Sequence, residues 1–166
     1  MKILFVSSWY PPVLTGSSLW TESLVLSLRQ RGHDVRVIST HWQGNLRESK
    51  KSEAEIVYNL PAYLLPPNRF LLGIPDIPIA YSLTNRRKVL NIVREFKPDI
   101  IHQMNHIFDT VFLSAYAAKK TGTPLVGSIT TPVQSTRLLN YLLILGLFLR
   151  LWLKILHLYK EIHLHV

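Results

Sequence analysis

The hydrophobic positions of this chain fall into blocks whose periods alternate. Residues 2–6, KILFV, are an unbroken β-favouring run, the pattern of a central parallel strand covered on both faces. A proline-bearing stretch, SSWYPPVLTGSS, interrupts it. In SSLWTESLVLSLRQRG, Trp20, Leu24 and Leu28 then recur at i, i+4 and i+8, with Glu22, Arg29 and Gln30 on other faces. That spacing predicts an amphipathic helix, closed by Gly32 where a left-handed cap is wanted. DVRVIST follows as a second strand, joined by the short link of a βαβ unit.

Residues 41–55, HWQGNLRESKKSEAE, are polar and read as an exposed loop, and EIVYN at 55–59 reads as a third, shorter strand. Between 60 and 78 lie Pro61, Pro66, Pro67, Pro75 and Pro78, five of the ten prolines. Such a density excludes regular structure and predicts an irregular, partly apolar excursion. Loops of that length in compact domains usually carry function. Helical spacing resumes near Ala80, with Val89, Val93 and Phe96 at i, i+4 and i+7, and ends before Lys97-Pro98. PDIIHQ is a fourth strand, 107–121 a helix ended by Gly122, and PLVGSI a fifth strand. The remaining sequence is Leu-rich and uncharged over 141–149, but Arg150 and Lys154 interrupt it. A spanning helix needs roughly twenty apolar residues without such charges. The pattern predicts one long helix, or two broken near Gly146, and a sixth strand in EIHLHV. Taken together, the blocks predict an α/β fold: a single domain with a Rossmann-like, doubly wound parallel sheet of about six strands and flanking helices.

Composition narrows the function. At 166 residues, 48% hydrophobic and 17% charged, the chain is large and apolar enough to bury a core, which excludes disorder. It has no cysteine, which excludes disulfides, thiolate zinc sites and thiol nucleophiles. The first apolar run is too short for a signal peptide, so the expectation is a cytoplasmic protein. Nineteen Lys and Arg against ten Asp and Glu give a formal charge of +9. Charge of that sign favours an anionic partner: a phosphate-bearing ligand, a nucleic acid or an acidic membrane face.

The candidate chemistry lies in SSWYPPVLTGSS. In doubly wound sheets ligands bind beyond the carboxyl ends of the strands, where loop amides and a helix N-terminus meet an anion. Pro11 and Pro12 stiffen the loop, Gly16 permits close approach of a ligand to the backbone, and Ser17 or Ser18 is placed to cap the helix. The stretch suits a phosphate. It is neither GxGxxG nor GxxxxGK[ST], so ordinary dinucleotide and P-loop readings do not apply.

Four motifs resemble the N-terminal domain of GT-B glycosyltransferases of the family 4 type. They are Tyr10-Pro11-Pro12 with Gly16-Ser17, then Gly32-His33-Asp34-Val35-Arg36-Val37, then Lys97-Pro98-Asp99-Ile100-Ile101-His102, then Gly122-Thr123-Pro124-Leu125-Val126. The resemblance implies a retaining sugar transfer from a nucleotide-sugar donor, in which the donor's own phosphate oxygen accepts the acceptor's proton. It implies that Gly16 and Ser17 face the donor phosphates. Tyr10, Pro12, His102, Asn105, His106, Thr130 and Thr131 would line the acceptor side. No catalytic side chain, no metal and no covalently bound cofactor is implied. Two positions depart from the family pattern: Ser17 replaces the second glycine of a pair, and Thr130 stands where a histidine is common. Family members carry a second, nucleotide-sugar-binding domain. Residues 1–166 are expected to be the acceptor-side domain alone, with that C-terminal domain absent.

Each residue also has a plainer reading. Gly16 and Ser17 fit an ordinary βα turn, Gly32 and His33 a helix cap, His102 a strand-end histidine satisfied by hydrogen bonds, and Asn105 a helix cap. His157, His163 and His165 lack metal-ligand spacing. The enzymatic reading has a lipid-linked or polysaccharide acceptor. Its alternative is a non-catalytic, membrane-associated scaffold subunit that recruits a donor-domain polypeptide. Lys50-Lys51, Arg86-Arg87-Lys88, the Leu-rich residues 138–158 and the apolar loop at 60–78 together suit peripheral attachment at the anionic inner face of a membrane. Each basic residue near such a surface contributes about 1 kcal/mol. Equally, the Leu-rich helix suits packing against a second domain or a partner chain. Nucleic acid is not expected as a partner, because Trp9, Tyr10, Trp20 and Trp42 are remote in sequence from the Arg86 cluster.

Overall fold

The computed structural model describes residues 1–41, 57–65, 77–104 and 108–128, all within one compact unit, Met1–Thr130. The elements in chain order are β1 (Lys2–Ser7), α1 (Gly16–Gln30), β2 (Asp34–His41), β3 (Val57–Pro61), β4 (Tyr63–Leu65), β5 (Ile77–Ile79), α2 (Leu83–Phe96), β6 (Ile100–Met104), α3 (Thr110–Thr121) and β7 (Leu125–Ser128). Five strands form one sheet in the order β3-β2-β1-β6-β7, and every pairing in it is parallel.

Strand β1 explains the arrangement. Its residues from Ile3 onward are all buried, so alternate side chains supply two cores. Ile3 and Phe5 pack with Val25 of α1, Val35 and Val37 of β2 and Met104 of β6. Leu4 and Val6 pack on the other face with Val89 and Val93 of α2 and Leu113 of α3. The sheet is therefore doubly wound, as the hydrophobic blocks imply. Asp99 fastens its far side: Oδ2 accepts from the Lys2 amide at 2.7 Å, and the Asp99 amide donates to the Lys2 carbonyl at 2.9 Å.

Helix boundaries follow local chemistry. Gly32 takes φ +84, and the amides of Gly32 and His33 return to the carbonyls of Arg29 and Leu28, a Schellman end to α1. Gly122 ends α3 with φ +72. Helix α2 starts on the Ser82 hydroxyl and ends on Lys97, a residue with a Cβ held at φ 52.

Three expectations are corrected. The proline-rich excursion contains regular structure, because β4 and β5 pair antiparallel with Leu64 opposite Pro78. A proline is tolerated in a short two-stranded ribbon where its missing N–H breaks no interior ladder. Trp20 is 47% exposed, so the buried stripe of α1 is turned toward Ser18, Thr21 and Val25. The third strand, expected at 55–59, runs on to Pro61 from Val57, residues 55 and 56 lying outside the described ones. The expected sixth strand and the Leu-rich residues 138–158 lie outside the described residues.

The left-handed Lys97 carries a steric cost of about 1 kcal/mol that glycine does not. Lys97→Gly is therefore expected to raise the unfolding midpoint by up to about 4 °C, read by thermal denaturation. A lowered midpoint would contradict the αL assignment.

Candidate functional site

The chain leaves β1 toward β2 on one side of the sheet and reaches β7 from β6 on the other. Between β1 and β6 the winding reverses, and their carboxyl ends, Ser7 and Met104, are register partners. Connections that diverge from such a pair leave a crevice above it.

A buried chain of hydroxyls and one amide ties together the elements that meet there. The Thr40 hydroxyl of β2 donates to the Ser8 carbonyl. The Ser8 hydroxyl meets that of Thr110, at the start of α3, at 2.8 Å. Gln103 Nε2 donates to Thr110 Oγ1 at 3.2 Å and to the Met104 carbonyl at 2.8 Å, and the Ser114 hydroxyl donates to Gln103 Oε1 at 2.8 Å. Each of these side chains is buried, so each hydrogen bond offsets a desolvation cost that would otherwise stand. Above the chain, Trp9 meets Phe108 edge-on at 4.5 Å, linking the loop after β1 to the segment entering α3. None of these contacts was read from the sequence. Their signal was the run of small hydroxyl residues at strand ends, Ser7, Ser8, Ser39 and Thr40.

The β1–α1 loop turns at Pro11–Pro12, whose peptide bond is cis, with the Val13 amide donating to the Tyr10 carbonyl at 3.1 Å. Tyr10 is a correction to the sequence reading. Its ring is 2% exposed and belongs to the core under α1, so it anchors the loop instead of lining an open surface. Pro12, two positions on, is half-buried.

Capping is corrected as well. Neither Ser17 nor Ser18 is the cap: Thr15 is, in extended conformation, and its hydroxyl accepts from the Ser18 amide at 3.1 Å. Ser18 Oγ in turn accepts from the Thr15 amide at 2.8 Å, which closes a capping box. Gly16 is exposed, Ser17 is half-buried, and a Cβ added to Gly16 would meet nothing within 4 Å. The amides of Gly16 and Ser17 have no hydrogen-bond partner among the described residues. First-turn amides carry the positive end of the helix dipole and attract anions.

His102 lies within β6, opposite Phe5 in register, with its ring 4.7 Å from that of Phe5. Its Nε2 is 2.7 Å from Ser128 Oγ of β7. Burial holds its pKa below the ordinary imidazole value. The hydrogen-bonded reading of this histidine thus describes its surroundings. Asn105, His106, Thr130 and Thr131 lie outside the described residues.

Sequence reading also passed over Asp109. Its Oδ2 accepts from the amides of Ala80 at 2.7 Å and Tyr81 at 2.6 Å, fastening the exit of β5 to the start of α3. Oδ1 is buried without a hydrogen-bond partner among the described residues. Desolvation pushes the carboxyl pKa up, against the pull of the amides it accepts from. Among the described residues no three His, Asp or Glu side chains are grouped to hold a metal ion, and no helix is long and apolar enough to cross a membrane.

The model of Glycosyltransferase Family 4 matches residues 14–163. The chain belongs to this family. The family match takes in the α1 N-terminus, the Gly32-His33 turn, the β6 motif and the Gly122 entry to β7. An uncharacterized 42.6 kDa protein in the cps region of Klebsiella pneumoniae is 27% identical over 116 residues, which cover 63% of this chain and 30% of that protein. Among solved structures, UDP-GlcNAc 2-epimerase from Neisseria meningitidis bound to UDP-GlcNAc is 17% identical, with a TM-score of 0.47, covering 76% of this chain and 32% of its own. The UDP-GlcNAc 2-epimerase of Methanocaldococcus jannaschii is 16% identical with a TM-score of 0.48, covering 82% and 33%. This family 4 chain spans about a third of the length of these proteins.

An acid whose pKa rises on folding favours the folded state while protonated, and that contribution is lost as pH rises from the ordinary carboxylate value near 4 through the raised one. Asp109→Asn keeps an oxygen for the Ala80 and Tyr81 amides and removes the charge. Its unfolding midpoint at neutral pH should equal or exceed that of the parent, with a flatter profile as pH rises above the ordinary carboxylate value of about 4. A large loss at neutral pH would mean that the ionised carboxylate is itself stabilising.

Proposed function

We propose that this family 4 chain is the acceptor-side half of a retaining glycosyltransferase that moves a sugar from a nucleotide-sugar donor onto a lipid-linked or polysaccharide acceptor. The observation that carries the reading is the pair of amides, Gly16 and Ser17, that have no hydrogen-bond partner among the described residues at the capped start of α1, which follows β1 at the reversal of the winding. Two such N–H groups at a positive helix end suit the donor's diphosphate. In this scheme the donor's nucleotide is held by a second lobe. Gly16 and Ser17 approach its phosphates from across the crevice, while His102, Asn105, His106, Thr130 and Thr131 serve the acceptor side. The chain's part is to bind and orient: preorganised amides stabilise charge as it develops on the departing phosphate, and that phosphate takes the proton of the acceptor hydroxyl. A second reading, a non-catalytic subunit that brings a donor-domain partner to a membrane, is supported by the uneven placement of basic side chains taken up below.

The test is to mix the chain with a polypeptide carrying a donor domain, a panel of nucleotide sugars and a lipid-linked acceptor, and to follow sugar transfer. The chain alone should turn over negligibly and the mixture measurably. In the mixture, Gly16→Ala should leave the unfolding midpoint unchanged or slightly raised, because the added methyl meets open space. Transfer should fall about tenfold, as expected when one charge-assisted hydrogen bond is weakened. Full transfer by the variant would remove the amides from the donor site.

A further inference from the structure

Charge is distributed unevenly over the two helical layers. Helices α2 and α3 carry six basic side chains, Arg86, Arg87, Lys88, Arg94, Lys119 and Lys120, against the single acidic Glu95, whereas α1 carries one of each sign. The outward crest of α2 reads Leu83, Arg87, Leu90, Arg94, at i, i+4, i+7 and i+11, opposite the buried stripe of Asn85, Val89, Ile92 and Phe96. Leu83 is 63% exposed, and Arg87 and Arg94 are exposed with it. A helix crest in solvent ordinarily has no reason to alternate leucine with arginine.

Where α2 meets α3, aromatic rings hold further cations in place. The Arg86 guanidinium lies 4.0 Å from the ring centre of Tyr116, and Lys120 Nζ reaches the same ring at 5.9 Å. Tyr81 packs edge-on against Phe112 at 6.2 Å. Half-buried rings beside fixed cations, flanked by an exposed leucine, form a surface with an apolar floor and charged heads above it. Such side chains lay their stems on hydrocarbon and their charges at phosphate level.

We infer that the outer face of α2 and α3 is a docking surface for an anionic lipid bilayer. Several basic groups around a few apolar side chains suit the summed attraction of many headgroups, each cation adding a modest increment that salt screens. The inference deepens the proposed function by giving the lipid-linked acceptor a side from which to approach. It is read without donor or acceptor, so its failure and the failure of the transfer reading are separable.

The full chain is sedimented with vesicles of phosphatidylcholine alone and with vesicles containing phosphatidylglycerol. Binding should be confined largely to the phosphatidylglycerol vesicles and should weaken at high salt. The triple variant Arg87→Glu, Arg94→Glu, Lys119→Glu should lose at least about tenfold in affinity, while Gln30→Glu with Arg31→Glu on the α1 side should lose little. Should charge reversal unfold the chain, as judged by its melting curve, glutamine at the same three positions carries the test, with a smaller loss expected. Equal sedimentation with both vesicle types, or undiminished binding by the folded triple variant, would overturn the surface. So would retention on RNA or heparin without vesicle binding.

Discussion

Strand β1 is a parallel strand with a partner on each side and a helical layer on each face, and the remainder of the unit is arranged around that burial. A strand enclosed in this way must be apolar at successive positions, and its six residues include Ile3, Leu4, Phe5 and Val6. Parallel partners cannot be reached by a tight turn, so each needs a crossover; α1 carries the one from β1 to β2 and α3 the one from β6 to β7. Having gone to β2 on one side, it must return over the opposite face to reach β6 on the other. The reversal of direction at β1 follows from the order of the strands, and in doubly wound sheets such a reversal is where ligands bind.

What sits at that reversal is polar for a physical reason. The carboxyl ends of β1, β2 and β6 bring carbonyls and small hydroxyls together in a buried region, near which Trp9 meets Phe108. There Thr40, Ser8, Thr110, Gln103 and Ser114 satisfy one another in sequence. Because every member is bonded, the network fixes the spacing of the strand ends without the cost of a stranded polar group. The start of α1 is different, since its cap satisfies the Ser18 amide while the amides of Gly16 and Ser17 have no hydrogen-bond partner among the described residues.

The parallel sheet was legible because its strands are short apolar runs separated by helical spacing and by Gly32 and Gly122, both of which take positive φ. Membership of glycosyltransferase family 4 was legible in the same motifs. Features that depend on contacts distant in sequence were not. Asp109 bonds to residues 28 and 29 positions away, and nothing around it in the sequence marks that use. Tyr10 sits in a proline-rich loop that looks exposed, yet turns inward because the loop folds back beneath α1. Trp20 misled for the opposite reason, as a large ring is taken for a buried one. The buried side of the helix's first turns is made of the small residues Ser18 and Thr21. The ribbon of β4 and β5 was hidden by prolines whose placement at a short paired edge is harmless.

The clasp between Lys2 and Asp99 spans 97 positions. A nascent chain growing at its usual pace leaves β1 with an open flank for roughly 5–20 s before β6 emerges to cover it. Throughout that interval an apolar strand with a bare edge is available to any other extended segment. Pairings that distant in sequence are closed late and at a high entropic cost, so enclosing the middle strand is the slow part of a fold of this order.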